Sequence, residues 1–266
     1  MRSVLLAGRE HDEIGAVAEQ ALERVAIAIS RGGAEKRYDY TDPNEDVALA
    51  AEGSHGMLVA VADGHWGHRA AEVALTHLRD EHFEAWLDGA ERSSESWYQD
   101  VLHALVSAND AILAAHTESE NPRTTLALAF ARPADGLLIT ASAGDSHLFI
   151  AGETQVIEYL PRQRKQSFLG NASRKPSELA RELRIEVHPL GDARVLLAVT
   201  DGISEHGIGV ADPREAVRSA VANADAADAG ARGSVAARAL VDAALAAHVT
   251  NDAGDNVAAA VAWIAR

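Results

Sequence analysis

The sequence predicts an α+β fold in which helices lie on antiparallel sheets. Three observations carry that prediction. Strand-length apolar runs occupy 56–62, 196–200 and 257–263. Stretches with apolar residues at helical spacing come in pairs, one pair after each block of strands. Strands then two helices, twice over, is the order expected of helices layered on sheets.

The elements follow in order. Residues 13–23 read as a helix that carries no chemistry, and 24–30 alternate as a strand. Val47-Ala48-Leu49-Ala50 and 56–62 are further strand runs. Residues 68–87 are amphipathic at helical spacing, through Ala71, Val73, Ala74, Leu78 and Phe83. Ser94 is placed to cap the next helix, which carries Val101, Leu102, Leu105, Val106, Ile112 and Leu113. Residues 125–160 read as a β-meander of about four strands, broken at Pro133-Ala134-Asp135-Gly136, Gly144-Asp145 and Gly152-Glu153. Late helices cover roughly 213–223 and 234–247, and the last strand covers 256–265. Between them, 161–192 is less regular and locally basic, with Arg162, Arg164, Lys165, Arg174, Lys175, Arg181 and Arg184. A solvated loop and helix face is the plain reading of that segment. In so acidic a chain it could also meet an acidic substrate.

Composition bounds the function. The chain has 266 residues, 47% of them apolar, enough for a substantial core in one large domain or two small ones. No apolar run reaches the ~18 residues of a membrane span. Residues 1–8 hold too short an apolar core for a secretory signal, so the expected location is cytoplasmic. No cysteine is present, which excludes disulfides, thiolate metal sites and a cysteine nucleophile. A net charge of −16 argues against a nucleic-acid partner.

Acidic residues stand at the ends of the strand runs. Asp63-Gly64-His65-Trp66-Gly67-His68 follows the run 56–62. There a carboxylate and the Gly64 carbonyl form a natural ligand pair for a hard divalent cation. His65 can supply a proton near neutral pH. Asn44-Glu45-Asp46 opens one strand, Gly144-Asp145-Ser146 lies between two, Asp201-Gly202 closes one and Asp255-Asn256 precedes the last. If those ends converge, six or more carboxylates share a pocket. Like charges so close raise each other's pKa, and divalent cations relieve them.

This ordered set, with Thr124-Thr125 and Thr200-Asp201-Gly202, resembles the metal-dependent protein phosphatases of the 2C type over residues 25–264. The resemblance implies a four-layer α/β/β/α sandwich over a single domain, 1–266. In it 1–23 is an N-terminal extension and 161–192 is a flap-like segment. It implies two Mn²⁺ or Mg²⁺ ions bridged by a water or hydroxide that attacks phosphoserine or phosphothreonine of a protein substrate. All-oxygen ligands suit those ions. Asp63 matches the bridging ligand, Gly64 a carbonyl ligand, and Asp201 and Asp255 the ligands of the other ion. Glu45 and Asp46 match positions that act partly through metal-bound waters. Asp145 and Glu205 match a weaker third site, where the family usually has Asp in place of Glu205. His65 matches the general acid.

Three departures stand out. The family places a phosphate-gripping arginine four residues before Glu45, where this chain has Thr41. Lys36 and Arg37 are the nearest basic residues, and Arg37 is the candidate substrate contact. Arg123 replaces a small residue, and Trp66 stands where glycine is frequent. Each site residue also has a structural reading: Asp145 as a hairpin turn, Asp255 as a strand-entry turn, His65 as a packing histidine, and His68 as a helix start. Two other functions fit the same motifs. One is a degenerate phosphatase domain that binds a partner without turnover; the other is a phosphoesterase for small molecules.

Overall fold

The computed structural model describes residues 1–36, 41–116, 121–159, 168–172 and 176–264. The strands are β1 Arg2–Ala7, β2 Ala18–Ala21, β3 Val25–Ser30, β4 Val47–Glu52, β5 Met57–Ala62, β6 Gly64–His65, β7 Arg123–Thr124, β8 Leu126–Arg132, β9 Leu137–Ala143, β10 His147–Ala151, β11 Val156–Tyr159, β12 Arg184–Pro189, β13 Val195–Val199 and β14 Val257–Trp263. The helices are α1 Arg69–Leu78, α2 Glu84–Leu87, α3 Ser94–Ala114, α4 Pro176–Glu182, α5 Asp201–Ser204, α6 Pro213–Asp225 and α7 Arg232–Asn251. A π-helical turn, Arg79–Phe83, joins α1 to α2.

Two six-stranded sheets form the centre, in the orders β1-β4-β5-β8-β9-β12 and β11-β10-β13-β14-β3-β2. Their ladders are antiparallel. Side-chain size explains how they stack. Successive residues of a strand face opposite sides. On β8, Ala127, Ala129 and Ala131 face the second sheet, while Leu126, Leu128 and Phe130 face α1 and α3. On β14, Ala258, Ala260 and Ala262 face inward, and Val257, Val261 and Trp263 face α6 and α7. Small residues between the sheets let them approach, and large ones outside fill the grooves under the helices. Trp86 stacks on Phe130 with centroids 5.1 Å apart, fixing the first helical layer. The result is the expected four layers, α/β/β/α.

Several elements differ from expectation. Residues 13–23 are not a helix: Ala18–Ala21 pairs with β3, from Ala18 opposite Ile29 to Ala21 opposite Ala26. The helix-favouring composition yields to an open sheet edge. Residues 1–23, expected as an extension, supply the outer strands β1 and β2, one to each sheet. The four strands of 126–159 exist, but β8–β9 belong to one sheet and β10–β11 to the other. Gly144-Asp145-Ser146 is therefore a crossing between sheets, not a hairpin turn. Gly144 makes it at φ +87°, where a Cβ would lie 2.7 Å from the Thr125 side chain. Ser93, one residue before Ser94, caps α3 by accepting from the Ser96 N–H at 3.2 Å. Of the segment expected as a flap, β12 pairs with β9 at the sheet edge. Arg162, Arg164, Lys165, Arg174 and Lys175 lie outside the described residues.

Candidate metal centre

Antiparallel pairing brings the acidic strand ends to one end of the sandwich. Val47, which opens β4, pairs with Ala62, which closes β5, so Asp46 and Asp63 leave the same edge. In the second sheet, β13 ends and β14 begins at that edge, carrying Asp201 and Asp255. Carboxylate oxygens of Asp63, Asp145 and Asp201 lie within 4.8 Å of one another, and so do those of Asp201, Glu205 and Asp255. Asp201 belongs to both sets. Asp145 and Glu205, expected together at a third site, fall in different sets.

Hydroxyl and amide groups hold these carboxylates in place. The Asp63 carbonyl accepts from the Thr125 N–H and the Thr124 hydroxyl, each at 2.9 Å. Thr125 Oγ1 in turn accepts from the Asp63 N–H at 3.0 Å. Thr200 bridges the sheets: its hydroxyl donates to Asp46 Oδ2 at 2.7 Å and accepts from the Ala258 N–H at 2.8 Å. Glu45 Oε1 accepts from the N–H groups of Asp42 at 3.0 Å and Gly67 at 2.8 Å. A Cβ at Gly64 would meet the Glu45 carbonyl oxygen at 2.6 Å, so only glycine lets the β5 end approach this loop. Asn256 ties the same loop down, accepting from the Glu45 N–H at 2.9 Å and donating to the Pro43 carbonyl at 3.0 Å.

Burial makes this cluster expensive to ionise. Desolvation and then neighbouring carboxylates hold Asp63 and Asp201 well above the usual range. Asp46 is pushed up to about 7 by burial, against the Thr200 hydrogen bond. Glu45 is also raised by burial. Close, oxygen-only donors whose ionisation needs nearby positive charge fit Mn²⁺ or Mg²⁺ and disfavour softer metals.

Lys36 supplies one such charge. Its backbone bridges to Gly254, and its ammonium lies 3.3 Å from Asp255 Oδ1 and bonds Asn256 Oδ1. Burial lowers its pKa, opposed by Asp255, Asp46, Asp63 and Glu45. Thr41 instead lies over Gly67. Arg37 lies outside the described residues.

His65 stands at the rim. Its ring packs on Phe168 with centroids 4.5 Å apart, and Nδ1 is buried 3.8 Å from Asp63 Oδ1. Burial lowers its pKa. His68 is the N-cap residue of α1 and bonds Asp42 Oδ2 through Nδ1 at 2.7 Å, so it takes its structural reading.

His248 was left without a role by sequence reasoning. It is fully buried on α7. Its Nδ1 accepts from the Gly33 N–H at 3.2 Å, which leaves the ring proton on Nε2 to donate to the Gly202 carbonyl at 2.8 Å. It thereby clips α7 to the turn that follows Asp201. The sequence offered only a histidine on an apolar helix face.

The fold and this carboxylate end define a metal-dependent phosphatase class. The profile of the protein phosphatase 2C family matches residues 35–242, and the chain belongs to that family. As a member it is a metal-dependent serine/threonine protein phosphatase. Among curated protein sequences none matches. Solved structures share the fold at low identity. The serine-threonine phosphatase 2C from Toxoplasma gondii is 14% identical, with TM-score 0.65 over 94% of this chain and 99% of that one. The PPM Ser-Thr phosphatase MsPP from Mycobacterium smegmatis, in complex with cacodylate, is 21% identical, with TM-score 0.60 over 92% and 100%. The catalytic domain of the phosphatase PstP, in complex with two manganese ions, is 20% identical, with TM-score 0.60 over 94% and 100%.

Proposed function

We propose that residues 1–266 form one phosphatase domain that hydrolyses phosphoserine and phosphothreonine in proteins at the strand-end carboxylates. The convergence of Asp63, Asp145, Asp201, Glu205 and Asp255 carries the reading. Two Mn²⁺ or Mg²⁺ ions there would supply an activated water and offset charge on the phosphoryl oxygens. Asp63, matched to the bridging position, and the Gly64 carbonyl would hold one ion, and Asp201 and Asp255 the other, with Asp201 also within reach of the Asp63 and Asp145 carboxylates. Asp145 and Glu205 extend the set on either side of Asp201, where a third ion would bind more weakly. Glu45 Oε1 already takes two N–H groups, and Asp46 takes Thr200, so their remaining oxygens suit contact through water. His65 would protonate the leaving serine or threonine oxygen. Lys36 would grip the substrate phosphate in place of the missing arginine, with Arg37 as the other candidate. The partner is a phosphorylated protein. A cytoplasmic setting and a role in signalling complete the proposal.

Turnover of a phosphoserine peptide with Mn²⁺, set against Asp63→Asn and Asp255→Asn, tests the proposal. Both variants should keep the fold and lose most turnover, and chelator should stop the wild type reversibly. A chain that stays inactive on every phosphate ester with saturating Mn²⁺ would instead be a binding domain.

A further inference from the structure

Trp66 is unusual in two ways. It is 56% exposed, and its backbone sits at φ +62°, where a bulky non-glycine residue is an outlier. Such strain persists where the surroundings enforce it, often at functional sites. The ring lies at the rim of the carboxylate cluster, 5.8 Å from the His65 ring. Arg123 covers it, with the guanidinium carbon 5.1 Å from the indole centroid. Arg123 is also the register partner of His65 across β6 and β7, so the two side chains leave the ribbon on one face. Arg123 Nε is buried and has no hydrogen-bond partner among the described residues. A flat, partly desolvated guanidinium is thus held at the mouth of the site, in a chain of net charge −16.

We propose that Trp66 and Arg123 select substrates with an acidic side chain beside the phosphoresidue. This rests on the phosphoprotein reading above. The indole supports one face of the guanidinium and leaves its N–H edge for a carboxylate, which that planar fork pairs with through two bonds. The site thereby reads two anionic groups: the phosphate at the cluster and the neighbouring carboxylate at Arg123.

Three phosphoserine peptides, alike except for Glu, Ala or Lys flanking the phosphoserine, test it by kcat/KM with Mn²⁺. The wild type should favour Glu over Ala by about tenfold, as a charge-assisted pair supplies, with Lys last. Arg123→Leu should bring the Glu/Ala ratio to about one. Arg123→Lys should fall between, because an ammonium keeps the charge but not the fork. Trp66→Gly, which takes the same backbone without strain, should also lower the ratio. Each ratio is taken within one variant, so partial loss of folded enzyme cancels. A wild-type ratio of one, or a ratio unchanged in Arg123→Leu, overturns the selectivity. Failure of all three peptides while an aryl phosphate is turned over contradicts the phosphoprotein reading, and this inference with it.

Discussion

Lys36 and Thr41 are the positions at which the proposed phosphate grip is tested. Counting back from Glu45 points to Thr41, but the chain delivers its cation at Lys36, beside Asp255. Lys36→Met should therefore raise KM for a phosphopeptide by about tenfold, the size of a lost charge-assisted bond. Inhibition by inorganic phosphate should weaken in parallel. Unchanged phosphate inhibition would remove Lys36 from the phosphate site. His65 is tested through the leaving group. His65→Ala should lower kcat for a phosphopeptide about 10²-fold and matter less for an aryl phosphate, whose oxygen leaves without a proton. Equal losses on both substrates would show that His65 is not the acid. At this scale the carboxylates were legible because each sits beside a strand run, so sequence position fixes spatial position. Lys36 was ambiguous because its place depends on a loop that no periodicity describes. Asn256 and Thr200 were quoted as motif members, but their work is visible only across the two sheets.

Among the elements, α7 holds more of the site than its sequence suggests. His248 links it to both Gly33 and Gly202. His248→Ala should cost roughly 2–3 kcal/mol in urea unfolding, since it removes a buried ring and strands two backbone groups. Mn²⁺ affinity should fall as well, because the Asp201 turn loses its anchor. A variant as stable as the wild type would contradict the clip. Burial lowers the His248 pKa, so the unfolded chain binds this proton more readily. Its contribution is present above the usual histidine value near 6.5 and is lost as pH falls below it. Element types were legible wherever the apolar period was long, as in β5, β8, α3 and α7. The N-terminal helix was misread because Ala and Glu favour helices alone, whereas β3 offered Ala18–Ala21 a free edge. The meander was legible as strands but not as pairings: nothing local announces that Gly144 changes sheets.

In the whole molecule, the carboxylate cluster opposes the fold that assembles it. Asp46, Asp63 and Asp201 keep their protons to higher pH when folded than when unfolded. The folded chain therefore binds more protons, and stability must fall as pH rises through their folded values. In chelator, stability should drop between about pH 4, where the unfolded carboxylates ionise, and the Asp46 value of about 7, by up to about 1.4 kcal/mol per pH unit for each extra proton the folded chain holds. Saturating Mn²⁺ should flatten that slope by taking over the protons' role. A chelated protein whose stability is flat or rises across this range would contradict the buried cluster.

The most direct test of the two-ion centre is calorimetric titration of the chelator-stripped chain with Mn²⁺, beside Asp201→Asn. Asp201 is the carboxylate shared by both ligand sets. The wild type should take up two tight ions per chain, and Asp201→Asn should weaken both, because each set loses an oxygen. Equal stoichiometry and affinity in the two proteins would contradict a metal centre built on the strand-end carboxylates.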